Sequence, residues 1–450
     1  MQRTLVMIGP DPELPHAVAE HARIPVVIGS GLTGLSISHS LSRASIDHVL
    51  IGRRPEMSPR LGESMNLDGT LLLWEMFPQL SRYFYPKRDA IGYFGDYEVV
   101  CEFDVGHRAV SRAIFRTLGY APAEEFLQVD RIGFDAALWE LAVGSEHCTV
   151  LDAPVADLEF DAARDSFTGV RLTDGTVVRP SYVFDATNHG RLLGRTAQLE
   201  YRTLGGQQRV AYTHYHGTPG APRNTEPWEL STAVVRLLPA SDGLDAMAWC
   251  IPLGDYVSVG LSTGATESEL GDEALLDRAA AAFERCGIDY RRRYPNKVEP
   301  RGLRHSYFAY DRAAGANWLL AGPSACQVWW LASAGVGTAL AAAQLAPKLL
   351  QDPLRWGAEY DRYMKQLLPI HDTFDFFALS SHADYEPEAL HRFSDRFVKT
   401  SLARLAGSTR MRDSRLATMS ARAASWVFTH PRTLHDYCSV RRVDRSTPLS

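Results

Sequence analysis

A glycine turn set between two short apolar runs constrains this chain more than any other feature. Ile24-Pro25-Val26-Val27-Ile28 is too short for a helix and β-branched enough for a buried strand. Gly29-Ser30-Gly31-Leu32-Thr33-Gly34 follows at once, and Leu35 to Ser42 reads as a helix. His48-Val49-Leu50-Ile51 then closes a β-α-β unit of about thirty residues, the size of a dinucleotide-binding crossover. In such a turn Gly29 permits the bend, Gly31 lets the backbone approach a pyrophosphate, and Gly34 lets the helix lie close to the strand. The free N–H groups of the helix start, beginning at Leu32 and Thr33, then face the phosphates at the positive end of the dipole.

Composition narrows the class of protein. The 450 residues leave room for two domains or one elaborated one, and 45% hydrophobic with 22% charged residues is ordinary for a globular chain. A net charge of −6 gives no electrostatic reason to expect nucleic acid or an anionic membrane. No apolar run approaches the ~18 residues of a membrane span, and the start of the chain does not read as a secretory signal. Six scattered cysteines without a CxxC pair argue against zinc and against a disulfide scaffold, so no metal is expected and a cytoplasmic location fits best.

Several further segments carry chemistry. The place for a ribose-binding acid, about twenty residues past the glycines, reads Ile51-Gly52-Arg53-Arg54. Arg53 or Arg54 can stack on adenine, meet phosphate or suggest NADP, and two solvated arginines fit as well. Gln128 and Arg131 stand at a helix start, either as donors to ribityl or phosphate oxygens or simply beside Asp130 as its cap. Phe167 to Val178 alternates around Asp174-Gly175 and reads as a hairpin leading into a Tyr182–Asp185 strand. Alternating strands then run through Arg209–His216, Thr232–Leu238, Met247–Ile251 and Val257–Ser262. His214 and His216 share a face with Val210 and Tyr212, as general-base candidates or as sheet-surface histidines. Gly335-Val336-Gly337 opens an alanine-rich helix, Thr338 to Leu350, after Trp329-Trp330.

These segments, in this order, resemble the flavin-dependent halogenases and the wider superfamily of FAD-dependent aromatic hydroxylases and geranylgeranyl reductases. The resemblance rests on Gly62-Glu63-Ser64, Gln128-Val129-Asp130-Arg131 with Phe134-Asp135, Asp185 to Leu193, Trp249-Cys250-Ile251-Pro252, Trp318 to Gly322, and Ser333 to Gly337. It covers roughly residues 24 to 350. It implies an α/β fold: a Rossmann-like FAD-binding domain with an inserted, mostly antiparallel substrate sheet and a helical C-terminal region. The expected bounds are an extension over 1–23, the FAD-binding domain over 24–200 and 300–352, the sheet over 201–299 and the C-terminal region over 353–450.

The same resemblance implies FAD as cofactor, held by Gly29, Gly31, Leu32, Thr33, Gly34, Arg53, Arg54, Arg60, Glu63, Ser64, Gln128, Arg131, Asp185, Gly322, Ser333, Gly335, Val336 and Gly337. Lys87 is the candidate for the halogenase lysine. The pattern departs where Met247 replaces the first tryptophan of WxWxIP, and where Gln327 and Trp330 replace Phe and Pro. Pro323 stands where a ribityl-binding aspartate is usual. No second glycine-rich unit offers an NAD(P)H site, so a separate flavin reductase is the expected partner. The implied activity is oxygenation of an aromatic or apolar small molecule through a flavin C4a-hydroperoxide. Halogenation, redox-neutral cyclase or isomerase chemistry, and a degenerate flavoprotein are the alternatives.

Overall fold

The computed structural model describes residues 23–102, 126–220, 225–237, 244–264, 270–372, 387–392, 396 and 438–443. Nearly all of the expected extension over 1–23 and much of the expected C-terminal region over 353–450 lie outside them. Five parallel strands form the first sheet, in the order Trp318–Leu320, Pro180–Asp185, Ile24–Ile28, His48–Ile51 and Cys148–Leu151. Ile24–Ile28 is central, and its burial on both faces explains its unbroken apolar run. The glycine turn therefore leaves from the carboxyl edge at the middle of the sheet.

The first helix spans Leu32–Arg43, three residues earlier than Leu35 because it begins inside the glycine turn. It packs on the helix Ala334–Gln351, where Ala339 and Ala341 to Ala343 are fully buried and permit close approach. That helix ends at Gln351, with Asp352 as its cap, just ahead of Pro353. The Asp174-Gly175 hairpin forms between Ser166–Leu172 and Val177–Val178.

The second sheet runs Cys326–Gln327, Arg301–Tyr310, Tyr201–His216, Tyr256–Gly264, Ala246–Pro252, Ser231–Leu237, Asp89–Phe94, Tyr97–Glu102 and Cys438–Arg442, with Asn296–Lys297 beside Tyr201–His216. Pairing is antiparallel except between Ser231–Leu237 and Asp89–Phe94. One face buries Ala211, Tyr215, Ala248 and Val259 under the helix Asp272–Glu284. The opposite face carries Val210, Tyr212, Trp249 and Tyr256, packed with Trp330 and Leu331. The alternation read from Arg209–His216 is the one observed.

Two expected boundaries change. The sheet is not confined to 201–299: it takes strands from 89–102, 301–310 and 438–442. Short runs such as Asp89–Phe94 reach it only through pairing with residues far along the chain, which no local pattern encodes. Beyond 352 the described residues include the helix Pro353–Lys365, but also the strand Cys438–Arg442, so that region is not purely helical. Among the described residues no helix is long and apolar enough to cross a membrane.

Candidate functional site

At the first turn, Gly29 has φ +108°, and a Cβ there would stand 2.6 Å from the Ala186 carbonyl oxygen. A Cβ on Gly34 would stand 1.7 Å from the Gly29 oxygen. These two glycines are required by the fold itself. Gly31 differs, since nothing lies within 4 Å of its Cβ position. Among the described residues no side chain caps this helix, and its first turn holds no acid. The positive helix end thus opens onto free space, the arrangement that suits an anion.

A second helix start faces similar chemistry. Ser333 adopts φ +48°, no side chain caps Ala334–Gln351, and its first turn is free of acids. A Cβ on Gly335 would meet only the Pro323 ring, at 3.7 Å. The segment Leu61–Asn66 runs past this end. The Asn66 Nδ2 donates to the Ala332 carbonyl at 3.2 Å, and the Gly62 Cβ position lies 3.5 Å from Val336 Cγ2.

That segment also collects the polar side chains. The Lys87 Nζ donates to the Ser64 Oγ at 2.8 Å and to the Met65 carbonyl at 3.1 Å. Ser64 Oγ lies 2.9 Å from Thr232 Oγ1, which accepts from the Gln128 Nε2 at 3.1 Å. Burial pushes the Lys87 amine down to about 7. On the other side, His214 Nε2 is 2.9 Å from Glu63 Oε1, with both side chains 1% exposed. His214 and the more exposed His216 flank the Tyr256 ring, at 4.6 and 5.2 Å between centroids. Burial and then His214 hold His216 below its usual value. The Tyr256 hydroxyl donates to Asp130 at 2.9 Å, and Asp130 caps the helix Arg131–Val143.

Lys87 and His214 thus come to neighbouring residues of one tripeptide, from strands 84–87 and 201–216. Other expected ligands have their donors and acceptors committed. Arg131 forms a bidentate pair with Asp135 and donates to the Leu61 and Gly62 carbonyls. Burial alone would lower it, but Asp135 holds it above its usual value. A guanidinium this deep needs a carboxylate, and the sequence supplies one a helical turn later.

Asp185 accepts from the Thr187 N–H and hydroxyl and from the Leu193 N–H, which holds its own turn together. Burial raises its carboxyl despite those bonds. Arg54 pairs with Glu140 at the surface, Arg53 is exposed, and Arg60 donates to the Glu56 carbonyl. Gly322 donates its N–H to the Tyr360 hydroxyl. Trp330 packs on Trp249 at 4.9 Å, whereas Trp329 turns the other way, onto Tyr307 at 5.1 Å. Thr232 and Tyr256 escaped the sequence reading, for they sit at strand starts without any motif.

The arrangement fits a flavin dinucleotide on three counts. Two helix starts are uncapped and free of acids, the space over Gly31 is clear, and the Gln128 Oε1 is buried without a hydrogen-bond partner among the described residues. The absent ribose acid has a steric reason. Any Cβ at Gly52 would come within 2.6 Å of the Ser30 hydroxyl.

No family model matches the chain. A menaquinone reductase of Mycolicibacterium smegmatis is 26% identical over 341 residues, 72% of this chain and 76% of the relative. An FAD-dependent monooxygenase, nvfK of Aspergillus novofumigatus, is 32% identical over 77 residues, which are only 17% of this chain and 14% of the relative. Among solved structures, the flavin-dependent brominase Bmp2 (as a triple mutant) superposes with a TM-score of 0.63 at 17% identity, over 90% of this chain and 99% of that one. Halogenase PltM in complex with phloroglucinol and FAD gives 0.65 at 15% identity, over 90% and 86%. The chain therefore has the fold of the flavin-dependent halogenases and is similar in sequence to a menaquinone reductase over most of its length and to an FAD-dependent monooxygenase over a short stretch, in keeping with the superfamily that its motifs resemble.

Proposed function

We propose that this chain is an FAD-dependent oxidoreductase of the monooxygenase type, acting on an aromatic or apolar small molecule. The observation that carries the reading is the pairing of the open Gly31 turn with the second acid-free helix start at Ser333. Gly29, Gly31 and Gly34, with the N–H groups of Leu32 and Thr33, would hold the diphosphate. Ser333, Gly335, Val336 and Gly337 would face the flavin ring, whose reduced form carries negative charge that this helix end favours. Bound and reduced, FAD would supply electrons to dioxygen and so an electrophilic oxygen atom. Trp249, Trp330 and Tyr212 form an apolar wall that excludes water from the reacting face. The reductant would come from a separate flavin reductase.

Lys87 favours a second reading, halogenation. A buried amine held at about 7 by desolvation and hydrogen-bonded to Ser64 can present an ammonium to an electrophilic halogen species in a dry channel. FAD titration followed in the visible spectrum tests the shared premise: uptake at micromolar protein is expected, and protein that stays colourless with added FAD overturns both readings. Product mass after turnover with reduced FAD, oxygen and bromide then separates them, and product formed without oxygen points to redox-neutral chemistry.

A further inference from the structure

Glu63 belongs to the tripeptide that the family resemblance assigns to the cofactor, yet its side chain points elsewhere. Its carboxylate lies against His214 on the substrate sheet, and the 2.9 Å separation is an ion-pair distance without hydrogen-bond geometry. Both Glu63 oxygens and both His214 ring nitrogens are buried with no hydrogen-bond partner among the described residues. Four unsatisfied polar atoms in one place are costly, because each has given up water without gaining a partner. A buried couple of this kind persists when something completes it during function, and such bonds are often misaligned before a ligand arrives.

We propose that Glu63 is the positioning residue of His214, and that His214 is the proton acceptor of the site. Nε2 is the nitrogen 2.9 Å from Glu63, and a proton carried there would leave Nδ1, itself buried, as the accepting atom. The Tyr256 ring packs against the imidazole at 4.6 Å, tilted by 31°, while its own hydroxyl is tied to Asp130. A substrate bearing an acidic hydroxyl, a phenol or an enol, would lose its O–H proton to Nδ1. The imidazolium so formed is matched by the Glu63 carboxylate, and the electron pair left on oxygen makes the ring or enol carbon more nucleophilic. The proton returns to solvent after turnover. The charged or titratable groups facing the couple are Tyr212, His216 and Tyr256 from the sheet and Arg131 from the helix start; Asp130 acts on His216 and Tyr256, and Arg60 and Arg301 act on Tyr212.

This role rests on the oxidoreductase reading above for its chemistry, but its test does not. The full chain, labelled with 15N-histidine, reports the tautomer of His214 directly, and FAD titration runs alongside. We expect the Nε2–H tautomer in the wild type, loss of that preference in Glu63→Gln, and FAD affinity within about twofold of wild type. Glu63→Asp, which keeps the charge one methylene away, is expected to give an intermediate shift and serves where Glu63→Gln does not fold. An Nδ1–H tautomer in the wild type, or His214 signals unmoved by either variant, overturns the proposal. So does a tenfold loss of FAD affinity in Glu63→Gln, which returns Glu63 to the cofactor. Protein that takes up no FAD at all but shows the expected tautomer sinks the oxidoreductase reading and leaves the couple standing.

Discussion

The glycine turn and the polar cluster around Glu63 and Ser64 are built in opposite ways. At the turn the working surface is backbone, and the sequence contributes by leaving side chains out. At the cluster it is side chains, delivered by strands whose residues are 23 to 168 positions from Ser64. In the first, Gly29 and Gly34 are held by close backbone contacts and tolerate almost no change. The second depends on the docking of two sheets, so single substitutions there are expected to alter chemistry before they alter the fold.

Substitution within the turn gives the largest effect and sharpens that contrast. Gly34→Ala drives a methyl into the Gly29 carbonyl and is expected to cost on the order of 3 kcal/mol or to prevent folding, read by thermal unfolding. Gly31→Ala should leave the melting temperature within about 2 °C, because its Cβ meets nothing. It should still weaken FAD by tenfold or more. Equal loss of stability in both variants would break the distinction.

Lys87→Met probes the cluster through pH. The amine is held at about 7 in the fold against 10.5 in the unfolded chain, so between those values the unfolded state binds more protons. Wild-type stability is therefore expected to rise, by up to a few kcal/mol, as pH increases from about 7 toward 10.5. The variant should lack that rise. Urea unfolding at pH 6.5 and 9.5 measures it, and parallel curves for the two proteins would count against a desolvated amine.

His305 tests burial away from both regions. Desolvation, then His189, lower it to about 4, so stability should fall as pH drops from 6.5 toward 4, by up to about 3 kcal/mol. His305→Gln should flatten that acid limb of the unfolding midpoint. The smallest effect is expected at the surface: Arg54→Ala removes an ion pair with Glu140 whose side chains are 63% and 59% exposed. A stability change within about 0.5 kcal/mol is expected, and a large loss of FAD affinity would reassign Arg54 to the nucleotide.

Local chemistry determined a good deal by itself. The run Ile24–Ile28, the glycines after it and the strand His48–Ile51 could be read directly, because parallel-strand burial and tight turns impose residue types on consecutive positions. The alternation of Val210, Tyr212 and His214 likewise fixed which side of the strand faces the site. Tertiary structure decided the partners. Asp135 lies one helical turn from Arg131 in the chain, whereas nothing near Glu63 pointed to His214, nor near Ser64 to Lys87 or Thr232. Those choices depend on how two sheets stack, and the energy of a buried charge is set by whatever lies within a few ångströms in space, whatever its distance along the chain.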